Sequence, residues 1–445
     1  MSTTPSSRLD QPLSQVVLLC RCERRQVAIY GNYVGIVAEY NPLHYGHLHH
    51  IRRTKDETGA DGIVVALSSY FTQRGEPALL SKWDRAESAL QAGANLVLEL
   101  PVFFSCHNAG VFAAGAVDIL AATGLVRTLS FGMEEPDFDV APLLAILVHE
   151  PVTFKDTLKK YLNSGFSYVK ARAEALASFS PEYGAFVSSP NNSLALAYMV
   201  HIARRGYGIR CISVQRTGGG YHDTALAASD GLPFFASASA IRRGLEKEGF
   251  EAVESALPPS TGSVVRRSLE QGRYVLSKDI LWRIARATLL RTPKETLALS
   301  SEMREGMENR MLRFSEECGS WDEFVGKCVT GRYTRGRVQR QLMHMLLGIG
   351  HDENRAFQAH GPAYIHPLAA DEIGVEILRK MRKTSRLPLR GKLPLRARWP
   401  EGRLAFLESS AAALWEGIAP TLDPGAEKKR HLITGQGCAE GENAL

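Results

Sequence analysis

Short apolar runs alternate with helical stretches from about residue 33 onward. The first runs are apolar at nearly every position, as strands are when helices cover both faces of a parallel sheet. This pattern predicts an α/β fold with a doubly wound parallel sheet, whose ligands bind at the carboxyl ends of its strands. Strands are expected at 33–39, 61–67, 95–100, 128–131 and 209–214, and helices at 46–58, 82–92, 109–122 and 239–247.

The alternation of predicted strands and helices is interrupted once and then ends. Residues 137–205 are mainly helical, which predicts an insertion packed against the sheet. Beyond about residue 250 the strand signal fades and helical spacing takes over, which predicts a helical C-terminal domain. The predicted organisation is a disordered extension over 1–32, the α/β domain over 33–250, a basic helical domain over 251–425 and a flexible tail over 426–445.

Composition narrows the class of protein. The 445 residues are 44% apolar and 22% charged, which is ordinary for a soluble globular chain of two or three domains. No run of eighteen apolar residues occurs, so we expect no membrane-spanning helix and no membrane partner. The seven cysteines are scattered without a C-x-x-C pair, which argues against a disulfide framework and a structural zinc site. Free thiols favour a cytoplasmic protein.

Residues 39–47, EYNPLHYGH, lie where the first predicted strand ends and the first predicted helix begins. A helix start offers unpaired backbone N–H groups and a positive dipole, which suit a phosphate. Gly46 lets the backbone approach that phosphate, and His44 and His47 fall on one face of the first turn. We predict that both imidazoles donate to phosphate oxygens and stabilise charge on the α-phosphorus and on departing pyrophosphate. The alternative is a pair of polar residues at a helix start.

A second segment, ASASAIRR at 236–243, has a similar character. Ser237 and Ser239 are small hydroxyl residues that can cap a helix or bind phosphate, and Arg242 would reach the β- and γ-phosphates. A plain capped helix with exposed arginines is the alternative. Taken together, the two segments resemble the HIGH-type nucleotidyltransferase superfamily, whose Rossmann domain joins a carboxylate or phosphate to a nucleotide with loss of pyrophosphate.

At a closer level the chain resembles the bacterial tRNA(Met) cytidine acetate ligase family. QRGEPA, PNN and GGGYHD are typical of this family rather than of the superfamily. One stretch departs from the family's S-G-N: Ser68-Ser69-Tyr70 places a tyrosine at a strand end, where it could reshape the acetate or ATP site. The matching blocks are 35–51, 71–90, 93–120, 129–135, 189–198, 214–223, 236–245 and 333–349.

This resemblance implies a two-step reaction. Acetate attacks the α-phosphate of ATP and gives acetyl-adenylate and pyrophosphate. The acetyl group then passes to the exocyclic amine of the wobble cytidine of elongator tRNA(Met), forming N4-acetylcytidine. ATP with its Mg²⁺, acetate and tRNA are therefore the expected cofactor, co-substrate and partner. A nucleotidyltransferase that adenylylates a small metabolite and a non-catalytic RNA-binding protein remain the alternatives.

The resemblance also assigns residues. Catalysis is assigned to His44, His47 and Arg242. From spacing alone, Asn191 and Asn192 either cap a helix or bind the nucleotide. The ATP site is expected to comprise Val37, Ala38, Glu39, Tyr40, Asn41, Pro42, Leu43, His44, Tyr45, Gly46, His47, Leu48, His49, His50, Gly132, Asn191 or Asn192, Arg216 and Thr217, together with Ser237 and Ser239. For His49 and His50, spacing alone favours simple exposure.

Basic residues mark further candidate contacts. Arg74 is a candidate to hold acetate or pyrophosphate, with a salt bridge to Glu76 as the alternative. Lys82 and Arg85 open a predicted helix, where cations suit an anionic ligand or a solvated face. RNA binding is predicted for a cluster that combines cations with an aromatic ring, as phosphate contact and base stacking require. Its members are Arg332, Tyr333, Arg335, Arg337 and Arg340.

Overall fold

The structure, a computed structural model, describes residues 31–216 and 236–435. Most of the extension predicted for 1–32, the GGGYHD block at 218–223 and the end of the tail predicted for 426–445 lie outside the described residues. Within the described ranges, no helix combines the length and apolar character that a membrane crossing requires.

A seven-stranded sheet lies at the centre of the fold. Its strand order is β5-β4-β1-β2-β3-β6-β7, and β1 to β5 are all parallel. The order reverses at β1, which has β2 on one side and β4 on the other, so the predicted doubly wound sheet is confirmed. The strands are β1 (Tyr33–Ala38), β2 (Gly62–Ser68), β3 (Leu96–Leu100), β4 (Val126–Met133), β5 (Arg210–Gln215), β6 (Pro367–Ala370) and β7 (Ile433–Thr434).

Helices cover the sheet and build the remainder of the chain. The first four are α1 (Tyr45–Thr58), α2 (Lys82–Gln91), α3 (Val102–Ser105) and α4 (Ala109–Ala122). The insertion between β4 and β5 holds α5 (Ala141–His149), α6 (Val152–Asn163), α7 (Tyr168–Ala177), α8 (Pro181–Ser188) and α9 (Pro190–Arg205). The rest are α10 (Ala238–Glu248), a 3₁₀ turn (Glu254–Ala256), α11 (Pro259–Glu270), α12 (Asp279–Arg291), α13 (Lys294–Ala298), α14 (Met307–Glu317), α15 (Trp321–Cys328), α16 (Arg335–Leu346), α17 (His351–His360), α18 (Glu372–Thr384), α19 (Glu401–Ile418) and α20 (Ala426–Lys429).

Strand β2 is buried along its whole length because both faces of the sheet are covered. Ile63 and Val65 belong to a core that includes Trp83 of α2, whereas Val64 and Ala66 belong to the larger core that includes α4. Burying one such side chain contributes about 1.5–3 kcal/mol. The unbroken apolar run at 63–67 is therefore explained by burial of the strand on both faces, as its pattern predicts.

Two short strands from the C-terminal half extend the sheet, which the sequence pattern did not predict. Strand β6 pairs antiparallel with β3, and β7 pairs parallel with β6. They hold four and two residues, too few for a periodic signal. Within the tail predicted over 426–445, the described residues 426–435 contain α20 and β7.

A buried cluster of charges ties this late segment to the sheet. Lys82 contacts Glu99 and lies 2.9 Å from Glu408 and 2.7 Å from Glu427, and its side chain is wholly buried. Burial lowers the pKa of Lys82, but the three carboxylates overcome this effect and hold that pKa well above its usual range. Burial and the neighbouring Glu99 raise the pKa of Glu408 to about 7. The expectations of an anionic ligand and of a solvated helix face are both wrong for Lys82, because its anionic partners are carboxylates of the protein itself.

Arg85 and Tyr70 have structural partners as well. The Arg85 guanidinium donates to the carbonyl oxygens of Glu39, Ser68 and Ser69 at 2.7, 3.0 and 2.6 Å, so it holds the ends of β1 and β2 together. Tyr70 donates its hydroxyl to Glu427 at 2.7 Å. The tyrosine that departs from the family pattern therefore contacts the C-terminal segment.

Candidate active site

A cavity of about 300 Å³ opens at the carboxyl ends of β1 and β4, where the strand order reverses. Ligands of doubly wound sheets bind at this position. The structure brings most of the predicted ATP residues together around it. Those that line the cavity are Val37, Ala38, Glu39, Tyr40, His44, Gly46, His47, His49, His50, Gly132, Asn191, Arg216 and Ser237.

The two histidines of the motif cap the helix that they open. His44 is the N-cap of α1, and its Nδ1 accepts a hydrogen bond from the Gly46 N–H at 3.1 Å. The Nδ1 atom of His47 accepts from the His44 N–H at 3.3 Å, which completes a capping box. Each ring therefore carries its proton on Nε2. Since both rings line the cavity, Nε2–H is the donor that each can offer to a ligand.

The imidazoles are held in their neutral form. Burial, followed by the charge of Arg216, lowers the pKa of His44 to about 3. Burial and the neighbouring His44 and Arg216 hold the pKa of His47 well below its usual range. The histidines thus supply directed hydrogen bonds, and the positive charge of the site comes from Arg216 and Arg74, which also line the cavity.

His50 has a specific partner rather than simple exposure. Its Nε2 atom lies 2.9 Å from the Ser130 hydroxyl on β4, and burial lowers its pKa to about 4. The same hydroxyl lies 2.7 Å from Thr54. This contact fixes α1 against β4, so the expectation of an exposed His50 is wrong.

Asn191 and Asn192 divide the roles that spacing alone could not separate. Asn192 is fully buried, and its side-chain oxygen accepts from the backbone N–H of Glu134 at 2.9 Å, so it anchors the loop after β4. Asn191 lines the cavity and donates its amide to the Glu134 carboxylate at 2.6 Å. Its own oxygen accepts from Arg216 at 3.4 Å. Asn191 is therefore the asparagine placed to meet a ligand.

Some predicted residues brace or cap the elements that surround the cavity. Arg242 donates Nη1 to the Asn41 carbonyl oxygen at 2.7 Å, so it braces the loop before α1. Ser237 caps α10 by accepting from Ala240 N–H at 3.2 Å. Thr217 lies outside the described residues. The predicted residues absent from the lining are Asn41, Pro42, Leu43, Tyr45, Leu48, Asn192, Ser239 and Arg242.

The QRGE loop closes one side of the cavity with Gln73 and Arg74. Glu76 pairs with Lys278 at 2.7 Å and accepts from Gln339 at 2.9 Å. Burial raises the pKa of Glu76, but Lys278 and its hydrogen bonds outweigh this effect and lower it to about 2. The loop is thus attached to the helices of the C-terminal half.

The backbone of the QRGE loop packs closely against α16 at Gly75. Its φ of 74° lies in the left-handed region, and a Cβ built on it would come within 2.5 Å of the Arg340 backbone nitrogen in α16. A side chain has no room there. The glycine of the QRGE loop is therefore required by the contact with α16.

Sequence reasoning missed the apolar wall of the cavity. Phe112 on α4, Phe131 on β4, and Leu194 and Tyr198 on α9 all line it. The rings of Phe131 and Tyr198 lie 5.8 Å apart between centroids. Their spacing is that of ordinary core residues, so only the fold distinguishes them. An apolar wall beside polar groups is typical of a nucleotide-sized ligand site.

The residues predicted to bind RNA separate into two groups. Arg332, Arg337 and Arg340 line a second cavity of about 660 Å³ between the insertion and α16. Arg335 instead contacts Asp322. Tyr333 is only 4% exposed, its hydroxyl donates to the Arg304 carbonyl oxygen at 2.8 Å, and the Arg337 guanidinium covers its ring at 4.2 Å. The prediction that Tyr333 stacks on a nucleobase is therefore wrong.

Comparison with known proteins gives concordant matches. The profile of the family described as HIGH Nucleotidyl Transferase matches residues 31–421. A tRNA(Met) cytidine acetate ligase of Halothermothrix orenii is 32% identical over 367 residues, which cover 80% of this chain and 86% of the relative. The enzyme of the same name from Syntrophomonas wolfei is 34% identical over 391 residues, with 86% and 91% covered.

Solved structures agree with these sequence matches. The crystal structure of Thermotoga maritima TmcAL bound with alpha-thio ATP superposes with a TM-score of 0.82 at 27% identity. It covers 91% of this chain and 100% of the other. The apo form of that protein gives a TM-score of 0.84 at 28% identity with the same coverage.

Proposed function

We propose a function from one premise, that this chain belongs to the HIGH nucleotidyl transferase family and, within it, to the tRNA(Met) cytidine acetate ligases. The enzyme activates acetate with ATP and transfers the acetyl group to a cytidine of tRNA(Met). The observation that carries the proposal is the pair of neutral imidazoles whose Nε2–H donors line the cavity at the strand reversal. Such a site stabilises negative charge that develops on a phosphate.

The first step is attack of an acetate oxygen on the α-phosphorus of ATP. The new carboxyl-oxygen-to-phosphorus bond gives acetyl-adenylate, and the bond from the α-phosphorus to the bridging oxygen breaks to release pyrophosphate. His44 and His47 donate to the phosphate oxygens as charge shifts onto them, and the positive end of the α1 dipole adds to this stabilisation. Arg216 and Arg74 oppose the charge of the leaving group.

The nucleoside is positioned by Asn191 and by the apolar wall of the cavity. Asn191 offers its amide beside Gly132, and the rings of Phe131 and Tyr198 provide an apolar surface for a purine. The ATP analogue in the Thermotoga maritima structure supports a nucleotide in this fold. The predicted ATP residues that line the cavity keep that role in this proposal, whereas Arg242 acts by bracing the loop at Asn41.

Magnesium fits this site as a companion of ATP. Mg²⁺ in nucleotide sites is usually held by one or two carboxylates together with substrate phosphates. Glu39 is the acidic side chain among the residues lining the cavity, so it would hold the ion with the phosphates. Among the described residues no group of three acidic, histidine or cysteine side chains could hold a metal independently. The bound ion would neutralise charge on pyrophosphate.

The second step is attack of the exocyclic amine of cytidine on the acetyl carbonyl carbon. A carbon–nitrogen bond forms, AMP leaves with the electrons of the carbon–oxygen bond, and the nitrogen loses one proton to give N4-acetylcytidine. The wobble cytidine of elongator tRNA(Met) is the acceptor that the family implies. Arginines of the second cavity would meet the RNA phosphates. An enzyme that modifies tRNA would work in the cytoplasm.

Exchange of labelled pyrophosphate into ATP tests this function. We expect exchange that requires acetate and does not require tRNA, because acetyl-adenylate forms before the RNA takes part. Addition of tRNA(Met) with acetate should then produce acetylcytidine, detected by mass analysis of its nucleosides. Exchange that requires a different carboxylate or phosphate acceptor would favour adenylylation of a small metabolite. Complete absence of exchange would favour the non-catalytic RNA-binding alternative.

The contact between Gly132 and Arg216 gives a second prediction. A Cβ on Gly132 would lie 3.0 Å from the Arg216 Cγ, so Gly132→Ala must displace that side chain by a few tenths of an ångström. We expect ATP affinity to fall about ten-fold, or by about 1.4 kcal/mol. Calorimetric titration of ATP checks this value. Gly326→Ala on α15, where a Cβ meets nothing within 4 Å, is the matched control. Equal affinities in all three proteins would contradict the assigned contact.

A further inference from the structure

The second cavity meets the first at Gln73. That residue lines both cavities. His44 and His47 line the first cavity, and the second cavity, called the groove below, lies between α9 and α16. The Arg340 guanidinium reaches the same residue and donates Nη1 to its carbonyl oxygen at 3.0 Å. A ligand in the groove would therefore lie beside the site where acetyl-adenylate is proposed to form.

Three side chains along the groove carry buried polar atoms without a partner among the described residues. They are Nε2 of Gln73, Oε2 of Glu302 and Nε of Arg340. All three residues line the groove. Buried polar atoms are nearly always hydrogen-bonded in folded proteins, so such a concentration calls for a physical explanation. Two of these atoms are donors and one is an acceptor.

Glu302 is held in place by its surroundings. Its φ of 63° lies in the left-handed region, uncommon for a residue with a side chain, and Gln341 donates to its carbonyl oxygen at 2.7 Å. Its Oε1 atom lies 4.0 Å from Nδ1 of the buried His107. Burial raises the pKa of Glu302, but His107, His344 and the nearby arginines outweigh this effect and lower it. The carboxylate is therefore ionised and can only accept hydrogen bonds.

We propose that these three side chains form a reading site for the Watson–Crick edge of cytosine. Glu302 accepts from the exocyclic amine, and Gln73 and Arg340 donate to N3 and O2 of the base. The set of one acceptor and two donors complements cytosine, whose edge offers one donor group and two acceptors. Uracil presents a carbonyl oxygen where cytosine has its amine, and a carboxylate repels that oxygen. The inference rests on the proposed function, because it names how that enzyme selects its nucleobase.

The charges along the groove favour a base over a phosphate at Glu302. A phosphate would be repelled by this carboxylate, whereas Arg332 and Arg337 elsewhere in the groove suit the RNA backbone. Arg332 already donates to the Leu162 carbonyl oxygen at 2.6 Å, which links the two walls of the groove. Single-stranded RNA bases that turn away from their neighbours are recognised in this manner, through hydrogen bonds to their edges.

Glu302→Gln tests the reading site through a change of preference rather than a loss. A glutamine can turn its amide N–H toward the uracil carbonyl oxygen, so the variant gains a contact that the native carboxylate forbids. The measurement is the Kd of two tRNA(Met) transcripts, with cytidine or uridine at the wobble position. We expect the native protein to favour the cytidine transcript about ten-fold. In Glu302→Gln this ratio should fall nearly to one. Glu305→Gln, an exposed carboxylate of the same loop, is the control and should keep the native ratio.

The outcomes separate this inference from the proposed function. An unchanged ratio in Glu302→Gln would overturn the reading site, and so would an equal loss of affinity for both transcripts, since that indicates a structural role. Acetate-dependent exchange, measured on the same proteins, does not involve the RNA. If the native protein shows no exchange but Glu302→Gln still shifts the ratio, the proposed reaction fails while the reading site stands.

Discussion

Replacing His47 by alanine is expected to lower acetate-dependent ATP–pyrophosphate exchange by about 100- to 1000-fold, the loss typical of one donor at a developing oxyanion. The ring accepts from the His44 N–H through Nδ1, so Nε2–H remains to meet the phosphate. Because the imidazole is neutral, the loss reflects a missing hydrogen bond rather than a missing charge. Initial exchange rates at saturating ATP and acetate measure the effect.

A second substitution at this position separates catalysis from helix capping. Glutamate at the third helical position is the usual partner in a capping box, so His47→Glu keeps α1 capped but places a carboxylate where a donor is needed. We expect its melting temperature to stay near that of the native protein while exchange is lost. His149→Ala, at an exposed histidine, should change neither quantity. Near-normal exchange in His47→Ala would refute the assigned role.

Lys82→Met is expected to lower the free energy of unfolding by about 3–5 kcal/mol. The substitution keeps the buried volume but leaves Glu99, Glu408 and Glu427 without their shared cation. The pKa values of these carboxyl groups then rise above their unfolded values, so the folded form binds more protons. The loss of unfolding free energy should therefore be largest near pH 8 and should shrink as the pH falls toward 5. Denaturant titrations at both pH values give the measurement.

Two matched variants test this explanation. Lys159→Met removes an exposed lysine on α6 and should alter stability by less than about 0.5 kcal/mol. Adding Glu408→Gln to Lys82→Met removes one of the uncompensated carboxylates, while the amide can still serve Ser69 and the Val102 N–H. We expect partial recovery of stability at pH 8. A loss in Lys82→Met that is the same at both pH values would show that packing, rather than charge, dominates.

The parts of this molecule that the sequence predicts are those whose cause is local. The apolar run at 63–67 predicts a strand covered on both faces, and the spacing of His44 and His47 predicts two rings at one helix start. Their place at the carboxyl edge follows from chain order, since a strand immediately precedes the motif. The cavity at the strand reversal was predictable for the same reason.

The parts that the sequence does not predict depend on partners far along the chain. Lys82 resembled a ligand-binding cation because its carboxylates come from residues 99, 408 and 427. Tyr333 resembled a stacking ring because the Arg304 carbonyl oxygen, to which its hydroxyl donates, lies 29 residues earlier in the chain. Phe112 and Tyr198 had the pattern of core residues, and only the arrangement of α4 and α9 shows that they face a cavity.

The pairing of the late strand β6 with the edge of β3 has a consequence for biosynthesis. β3 is translated before its edge partner Pro367–Ala370 and the carboxylates of Glu408 and Glu427, which leave the ribosome much later. Until then the nascent protein carries an apolar strand with an open edge, which is a template for aggregation. Prematurely terminated polypeptides would keep that edge exposed, so chaperones or proteases would have to dispose of them.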